Sequence, residues 1–203
     1  MSLEVFNVVD AINELRNKTT SIKFAKVKEG AIIPSKREED MGFDIYACFD
    51  EDYIVINPHE TKRIPTGIAS ACDPDEGFVL FERGSTGSKG IARRCGIIDS
   101  GYRNEWFVGL TNTTNKIMLI SKLTDQLAID KYYYDMTPKN FIKRLIFNFK
   151  KRHTKLFVYP YSKAIAQALI IPVPKTIVEE ISYEELQNIQ SERGMGALGS
   201  SNK

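Results

Sequence analysis

Residue types that build covalent or metal-bound frameworks are scarce in this sequence of 203 residues. The three cysteines, Cys48, Cys72 and Cys95, are far apart and form no CxxC pair. This spacing argues against a disulfide framework or a zinc site and predicts reduced thiols in a cytoplasmic protein. The two histidines, His59 and His153, add no support for a metal site.

Long apolar runs and an excess of one charge are also missing. The stretch from Ala164 to Val173 is broken by Gln167 and is too short to cross a bilayer, and no basic-then-apolar signal sequence opens the chain. The 28 Lys and Arg against 26 Asp and Glu leave a net charge of +2. We therefore expect a cytoplasmic protein without membrane contact, and no binding of nucleic acid through overall charge.

What remains is the composition of an ordinary globular protein, 42% hydrophobic and 27% charged, with a length that suits one domain with additions. Between Ile22 and Val173 most of the sequence consists of short β-type runs separated by turn signals. They are Ile22–Val27, Ile45–Cys48, Tyr53–Ile56, Phe78–Phe81, Phe107–Thr111 and Ile117–Ile120. Many short strands at this spacing predict an all-β sandwich, barrel or jelly roll.

Two segments have helical patterns instead. Residues 1–20 place apolar side chains at three- and four-residue steps, which predicts a short N-terminal helix. Residues 138–153 predict a second helix, with Thr137 as its N-cap and Pro138 in its first position. Seven cations and no acidic residue lie between Lys139 and Lys155. Its apolar face can dock on the protein body, or the helix can face a protein or nucleic-acid partner.

Three further segments, residues 41–47, 82–90 and 96–103, combine glycine, small hydroxyl residues and isolated charges. The second is either an anion-binding loop or a plain hairpin turn, and it lacks the spacing of a Walker P-loop. In the third, Asp99 follows two apolar residues and precedes Ser100-Gly101. This carboxylate can act as a general base, or it can cap its own turn.

Residues 191–203 form a predicted mobile tail. From Ser191 to Ser201 it contains three glycines and three serines without any period. Such a tail often has no specific contacts, but a conformable backbone with Arg193 and hydroxyl groups can also wrap around phosphates.

Together and in order, these segments resemble the five motifs of the trimeric dUTPase family, the deoxyuridine triphosphate nucleotidohydrolases. The matching positions are Gly42–Ala47, Arg83–Gly87, Gly96–Arg103, Ile165–Gln167, and Arg193-Gly194 followed by Gly199–Ser201. The resemblance covers about residues 21–203 and implies an all-β jelly-roll fold. The N-terminal helix at 1–20 and an insertion at about 118–160, which contains helix 138–153, are additions to it.

The resemblance implies a role for each matched residue. Asp99 would activate the water that attacks the α-phosphate of dUTP, which releases dUMP and pyrophosphate. Backbone groups of Gly96, Ile97 and Ile98 would bind uracil, and Tyr102 would pack against the deoxyribose. The residues implied to hold the triphosphate are Arg83, Gly84, Ser85, Gln167, Arg193, Ser200 and Ser201.

A cofactor and an assembly are implied as well. Mg²⁺ would be held mainly by substrate phosphates and water, with Asp44 structural or water-mediated rather than a direct ligand. Two subunits and the tail of a third would form each site, which implies a homotrimer. The inserted helix at 138–153 would be available to a protein partner.

The sequence departs from the family pattern at several positions. Gly84 stands where serine usually follows the arginine, so Ser85 is offset by one residue. Leu198 replaces the aromatic residue of the tail that stacks on uracil, which makes Trp106 and Phe107 alternative candidates for stacking or for the core. In the fourth motif Ser162 and Ala164 replace glycine and arginine.

Two other functions are compatible with the same fold. A dCTP deaminase would need a glutamate facing cytosine, and Glu105 is only near the third motif. A nucleotide-sensing interaction protein would bind dUTP without turnover, because its second, fourth and fifth motifs are altered.

Overall fold

The computed structural model describes residues 20–151 and 153–191, so the predicted N-terminal helix and almost all of the predicted tail lie outside the described residues. The strands are β1 (Lys23–Lys26), β2 (Phe43–Ile45), β3 (Tyr53–Ile56), β4 (Thr61–Pro65), β5 (Ile68–Ala71), β6 (Glu76–Phe81), β7 (Ile91–Arg94), β8 (Ile97–Asp99), β9 (Phe107–Asn112), β10 (Ile117–Ser121), β11 (Leu156–Pro160) and β12 (Ala166–Pro172). The helices are α1 (Gly84–Gly87), α2 (Asp125–Met136), α3 (Phe141–Lys151) and α4 (Tyr183–Asn188). None of the described helices is both long and apolar enough to cross a membrane.

The described strands form small sheets around one core. Their orders are β1-β5, β11-β10-β3, β2-β12-β6-β8 and β4-β9-β7. All pairings are antiparallel except that of β10 with β11. Apolar side chains from all four sheets meet in the main core. The mostly β-sheet structure confirms the predicted all-β fold class, with helices as additions.

Aromatic rings fill the centre of this core. Trp106 has no exposed surface and packs against Phe24 and Phe78, with ring centroids 5.6 and 5.0 Å away. The indole is therefore unavailable for stacking on a ligand, and the candidate role of Trp106 in uracil stacking is wrong. Of the two interpretations of this residue, the structure supports core packing.

The parallel pair β10–β11 requires a long crossover, because parallel neighbours cannot be joined by a tight turn. Residues 122–155 provide it and include helices α2 and α3. Met118, Ile120 and Tyr159 of these two strands are buried in the main core. The predicted insertion at 118–160 therefore overlaps two structural strands, and the segment outside the sheets is shorter.

Helix α2, which the sequence analysis did not predict, covers the outer face of the β11-β10-β3 sheet. Ala128 and Tyr132 are buried against Leu119 in a second, smaller cluster. The hydroxyl of Tyr53 donates a 2.6 Å hydrogen bond to the carboxylate of Asp135. Burial and this carboxylate raise the pKa of Tyr53, so the phenol stays a donor at neutral pH.

The basic helix begins later than predicted. Helix α3 spans Phe141–Lys151, and Thr137 is the C-terminal cap of α2 instead of the N-cap of the following helix. The expected docking of its apolar face is also wrong: Phe141, Leu145 and Phe149 are 73%, 57% and 67% exposed. The described contacts of α3 with the body run through Phe147 and Lys151, which reach Tyr133.

The described residues from Pro174 to Ser191 belong to a separate unit of the chain. Within it, Ser182 begins α4 with a capping box, in which the Ser182 hydroxyl accepts the N–H of Glu185 and the Glu185 carboxylate accepts the N–H of Ser182. The apolar residues Ile177 and Val178 of this unit are 99% and 91% exposed.

A tight turn before β5 depends on Gly67. Its φ of +67° favours glycine, and an added Cβ would lie 2.9 Å from both the Ala31 Cβ and the Cys48 Sγ. The Gly67 carbonyl accepts a 2.7 Å hydrogen bond from the N–H of Val27, and its N–H donates to the Glu105 carboxylate at 2.8 Å. The turn thereby connects three distant parts of the chain.

We expect Gly67→Ala to lower the free energy of unfolding by about 2 kcal/mol or more. The strain of a positive φ adds to the clash of the new Cβ with the side chains of Ala31 and Cys48. Urea unfolding at fixed protein concentration measures the change. Gly101→Ala is the matched control, since its added Cβ meets nothing within 4 Å. Equal unfolding midpoints for the two variants would contradict this account of the turn.

Candidate functional site

Three of the sequence motifs meet on one sheet. Strand β12 lies between β2 and β6, and its Gln167 pairs with Asp44 on one side and Phe81 on the other. Arg83 follows β6 by two residues. Antiparallel register therefore places residues of the first, second and fourth motifs side by side, although they are far apart in sequence.

The central interaction of this group is a two-bond ion pair. The Nε of Arg83 lies 2.9 Å from Oδ1 of Asp44, and Nη2 donates to Oδ2 at 3.2 Å. Such a fork geometry fixes the plane of the guanidinium and leaves its remaining N–H groups for another acceptor. The Asp44 carboxylate thus orients the side chain of Arg83.

Gln167 is positioned by its neighbours. Its Nε2 donates a 2.9 Å hydrogen bond to the carbonyl of Glu82. A Cβ on Gly42 would approach the Gln167 Oε1 to 3.0 Å, so glycine permits this close packing. The amide is therefore fixed beside the strand that leads to Arg83.

The second motif forms a short helical turn, α1, which the sequence analysis had not predicted. The buried Thr86 closes this turn, because its hydroxyl accepts the N–H of Arg83 at 3.0 Å and donates to the Arg83 carbonyl at 2.9 Å. Gly84 and Ser85 are exposed. Buried Tyr159 lies below the loop: burial raises its pKa, and the neighbouring Arg83 and Ser85 oppose the rise.

A polar cleft of about 650 Å³ opens at this group. Besides Asp44, Arg83 and Gln167, its lining includes two cations that the sequence analysis missed, Lys36 and Arg37. Arg37 pairs with Asp40 at 2.9 Å, and this carboxylate raises the pKa of Arg37. No motif marks this loop in the sequence, and only the fold brings it to the cleft.

The third motif lies at the other edge of the same sheet. Strand β8 pairs with β6 so that Asp99 faces Gly77, and Asp99 is exposed. The N–H of Tyr102 donates to the Asp99 carbonyl at 3.0 Å, which closes the turn through the backbone. Among the described residues no hydrogen bond reaches the Asp99 carboxylate. The Asp99 side chain therefore does not cap this turn.

Beside this turn is a second cleft, of about 440 Å³, with a more apolar lining. Its walls include the predicted nucleoside residues Gly96, Ile97, Ile98 and Tyr102, together with Phe107, Gly109, Cys95 and Arg63. The guanidinium of Arg63 lies 4.5 Å from the centroid of the Phe107 ring. Arg63 is a lining residue that the sequence analysis missed, because β4 had not been predicted.

Most of the predicted site residues that the structure describes line two clefts with no lining residue in common, and Asp99 lines neither of them. Arg83 and Gln167 line the polar cleft, with Gly84 and Ser85 exposed on the adjoining loop. Gly96, Ile97, Ile98, Tyr102 and Phe107 line the second. Arg193, Leu198, Ser200 and Ser201 lie outside the described residues. Within residues 20–151 and 153–191 of one chain, the two halves do not join in a single pocket.

Comparisons with known proteins point to one family. The model of the dUTPase family matches residues 28–128. A deoxyuridine 5'-triphosphate nucleotidohydrolase of Nautilia profundicola is 29% identical over 191 residues, which cover 90% of this chain and 99% of that protein. The Pol polyprotein of caprine arthritis encephalitis virus is 32% identical over 115 residues, 55% of this chain. The chain spans 10% of that polyprotein and 52% of a Neisseria meningitidis nucleotidohydrolase.

Solved structures show the same fold. A mutant dUTPase of Staphylococcus bacteriophage 80alpha with dUpNHpp superposes with a TM-score of 0.61 at 19% identity, covering 90% of this chain and 99% of that one. A mutant dUTPase of phage phi11 of S. aureus, described with a structural Mg(II) ion, gives a TM-score of 0.54 at 16% identity, covering 79% and 96%. The fold thus places the chain in the class of mostly β-sheet proteins to which these structures belong, and the chain belongs to the dUTPase family.

Glu82, which precedes Arg83, makes the stability of the fold depend on pH. Its carboxylate accepts the N–H of Arg93 at 2.8 Å, and this backbone hydrogen bond lowers the pKa of Glu82 below its ordinary value of 4.5. A lowered folded-state pKa adds stability above the unfolded-state pKa, and this contribution is lost as the pH falls through the folded-state value.

We therefore expect wild type to be more stable than Glu82→Gln at neutral pH, and the difference to disappear in the acid range as Glu82 becomes protonated. Urea unfolding of both proteins over a pH series measures it. Glu179→Gln removes an exposed carboxylate elsewhere and is the control. A stability difference that stays constant into the acid range would contradict the role of the ionised carboxylate.

Proposed function

We propose that this protein hydrolyses dUTP to dUMP and pyrophosphate. The observation that carries the proposal is the Asp99 carboxylate, exposed and unpaired among the described residues, at the end of β8 beside a nucleoside-sized cleft. A carboxylate free of protein partners is available to bind and deprotonate a water molecule.

In the proposed reaction the Asp99 carboxylate takes a proton from water, and the resulting hydroxide attacks the α-phosphorus. The bond between this phosphorus and the oxygen bridging to the β-phosphate breaks. The electron pair leaves with pyrophosphate, and dUMP remains. Asp99 then returns its proton to solvent.

The second cleft is proposed to bind the nucleoside. The backbone of Gly96–Ile98 lies at the cleft and offers donors and acceptors to the edge of uracil, while Tyr102 packs against the sugar. The hydroxyl of Tyr102 donates to the carbonyl of Glu105 at 3.1 Å, which fixes its ring. A ring held this way excludes a 2′-hydroxyl by shape.

Phe107, which lines the same cleft under the guanidinium of Arg63, is the proposed aromatic surface for the base. It offers an aromatic contact in a sequence whose tail has Leu198 at the aromatic position. Leu198 itself remains a candidate for apolar contact with the base.

The polar cleft is proposed to bind the triphosphate. Arg83, oriented by Asp44, supplies N–H groups, and Gln167 supplies an amide beside it. Gly84 and Ser85 add exposed backbone and hydroxyl donors. We assign Arg193, Ser200 and Ser201 of the tail to the same phosphates on the basis of the fifth motif alone.

Mg²⁺ is the proposed cofactor, and it fits the donor set of the cleft only as an ion carried by the substrate. The described residues include no group of three or more His, Cys, Asp or Glu side chains that could hold a metal, and Asp44 is engaged by Arg83. The triphosphate and water would supply most ligands, and the ion would neutralise charge on the phosphates.

We propose a homotrimer, and the separation of the two clefts in the described residues supports a site shared between copies. A dUTP molecule has to reach both the Asp99 turn and the Arg83 cleft, and no lining residue is common to them. Pairing the nucleoside cleft of one copy with the polar cleft of another completes a site, and threefold symmetry closes such a ring. We also propose a cytoplasmic location, as expected from the unpaired cysteines.

We expect Asp99→Asn to lower the rate of pyrophosphate release from dUTP by roughly 10²- to 10⁴-fold, because the amide keeps the shape but cannot accept the proton. Turnover of dUTP, dCTP and UTP by wild type and variant, with Mg²⁺ present, measures this. The affinity of the variant for a non-hydrolysable dUTP analogue should be unchanged. Ammonia release from dCTP would instead support a deaminase, and binding without turnover by wild type would support a sensor.

Mixing two inactive variants tests the shared site. Asp99→Asn chains retain Arg83, and Arg83→Ala chains retain Asp99, so a mixed trimer can combine both residues in one site. After unfolding and refolding together in equal amounts, roughly a quarter of the sites should contain both native residues and recover activity. No recovery, in a mixture shown to contain mixed trimers, would place both residues of each site in one chain.

A further inference from the structure

Helix α3 presents an apolar face that the proposed chemistry does not use. Its five large apolar residues, Phe141, Ile142, Leu145, Ile146 and Phe149, are between 54% and 73% exposed. At 100° per residue they occupy one continuous arc of about 140°. A monomeric protein rarely leaves such a set of side chains in water without a binding role.

The orientation of the helix is fixed from the opposite side. Phe147 packs edge-on against Tyr133, with ring centroids 6.3 Å apart, and the Lys151 ammonium lies 4.2 Å from the centroid of the same ring. Tyr133 belongs to α2, which is docked on the sheet. On the helical wheel Phe147 and Lys151 lie opposite Ile142 and Phe149, so the apolar arc points away from α2.

Cations border this arc on both margins. On the helical wheel Lys143 and Lys150 lie beyond the Ile146 end of the arc, and Arg144 lies beyond its Phe141 end. The sequence from Lys139 to Lys155 contains seven cations and no acidic residue. Lysine and arginine at the margins of an apolar face can extend their charged groups to phosphates while the face enters an apolar layer.

This charge distribution selects among possible occupants. A second copy of α3 would bring two strongly cationic segments together and is disfavoured by repulsion. Ile142, Leu145, Ile146 and Phe149 have the i, i+3, i+4 and i+7 spacing that a protein groove can also take, but such a groove would need a strongly acidic rim to accept the surrounding cations. An anionic bilayer surface supplies both an apolar layer and a plane of negative charge.

We propose that helix α3 binds the surface of anionic phospholipid bilayers, lying parallel to the interface. The expectation of no membrane contact rested on the absence of a spanning segment, and interfacial binding needs none. In a trimer, three such helices that face the same plane would bind one bilayer together, which raises the overall affinity. This inference does not depend on the proposed hydrolase activity.

Flotation of the full-length protein with vesicles tests the proposal. The vesicles contain phosphatidylcholine alone or with added phosphatidylserine. We expect roughly tenfold or more binding preference for the anionic vesicles, and a loss of binding at high ionic strength. Equal binding to both vesicles, or binding to neither, would overturn the proposal.

Two variants distinguish binding through the apolar arc of α3 from nonspecific adsorption to vesicles. Leu145→Glu with Phe149→Glu places charges on the apolar arc, and we expect it to abolish flotation with anionic vesicles. Tyr134→Glu changes an aromatic residue of α2 that is 81% exposed, and it should bind like wild type. Circular dichroism and size-exclusion chromatography verify that both variants fold and assemble as wild type does.

A charge-reversal pair tests the flanking cations. Lys143→Glu with Lys150→Glu should also abolish flotation, whereas Lys163→Glu with Lys175→Glu, which makes the same change in charge elsewhere, should reduce it much less. Equal losses in the two pairs would show attraction by net charge alone and would overturn the proposal. Wild-type binding to an acidic polypeptide such as polyglutamate, without flotation, would assign the face to a protein partner instead.

Discussion

The position of β12 between β2 and β6 is the constraint on which the candidate site depends. This one strand places Gln167 between Asp44 and Phe81, and so brings Arg83 to the Asp44 carboxylate. The resulting ion pair is only partly buried, and such pairs contribute little to stability when they stand alone. Its value is geometric, because a guanidinium held by two bonds could bind the proposed phosphate without first losing its freedom of rotation.

Much of the fold was predictable from local patterns. The six apolar runs predicted as strands each overlap a strand of the structure, because alternating and β-branched residues between turn signals carry their information locally. The other six strands are not among these runs. Two of them, β4 and β7, were missed because Thr61–Pro65 and Ile91–Arg94 carry charged side chains that look like loop residues in a linear sequence. Their strand state comes from pairing with β9, which is a tertiary effect.

The candidate site was predictable where a motif marks it and not elsewhere. Asp99, Arg83 and Gln167 lie within motifs, whereas Lys36, Arg37 and Arg63 reach the clefts only through folding. The helix boundary at Phe141 was missed for a related reason: Thr137 and Pro138 form a good start signal, but α2 already occupies the chain up to Met136. A start signal cannot by itself show which of two neighbouring helices it serves.

The parallel pairing of β10 with β11 has a consequence for how the chain folds. The two strands cannot meet until residues 122–155 have been traversed, so their contacts are among those of long sequence separation that slow folding. Tyr159, on the later strand, donates its hydroxyl to the Ala164 carbonyl and lies beside Arg83 and Ser85. The loop of the second motif therefore gains its buried support only after the crossover has closed. A chain in which only the earlier strands had formed would lack this support, so the cleft proposed to bind the triphosphate is complete only when the crossover has closed.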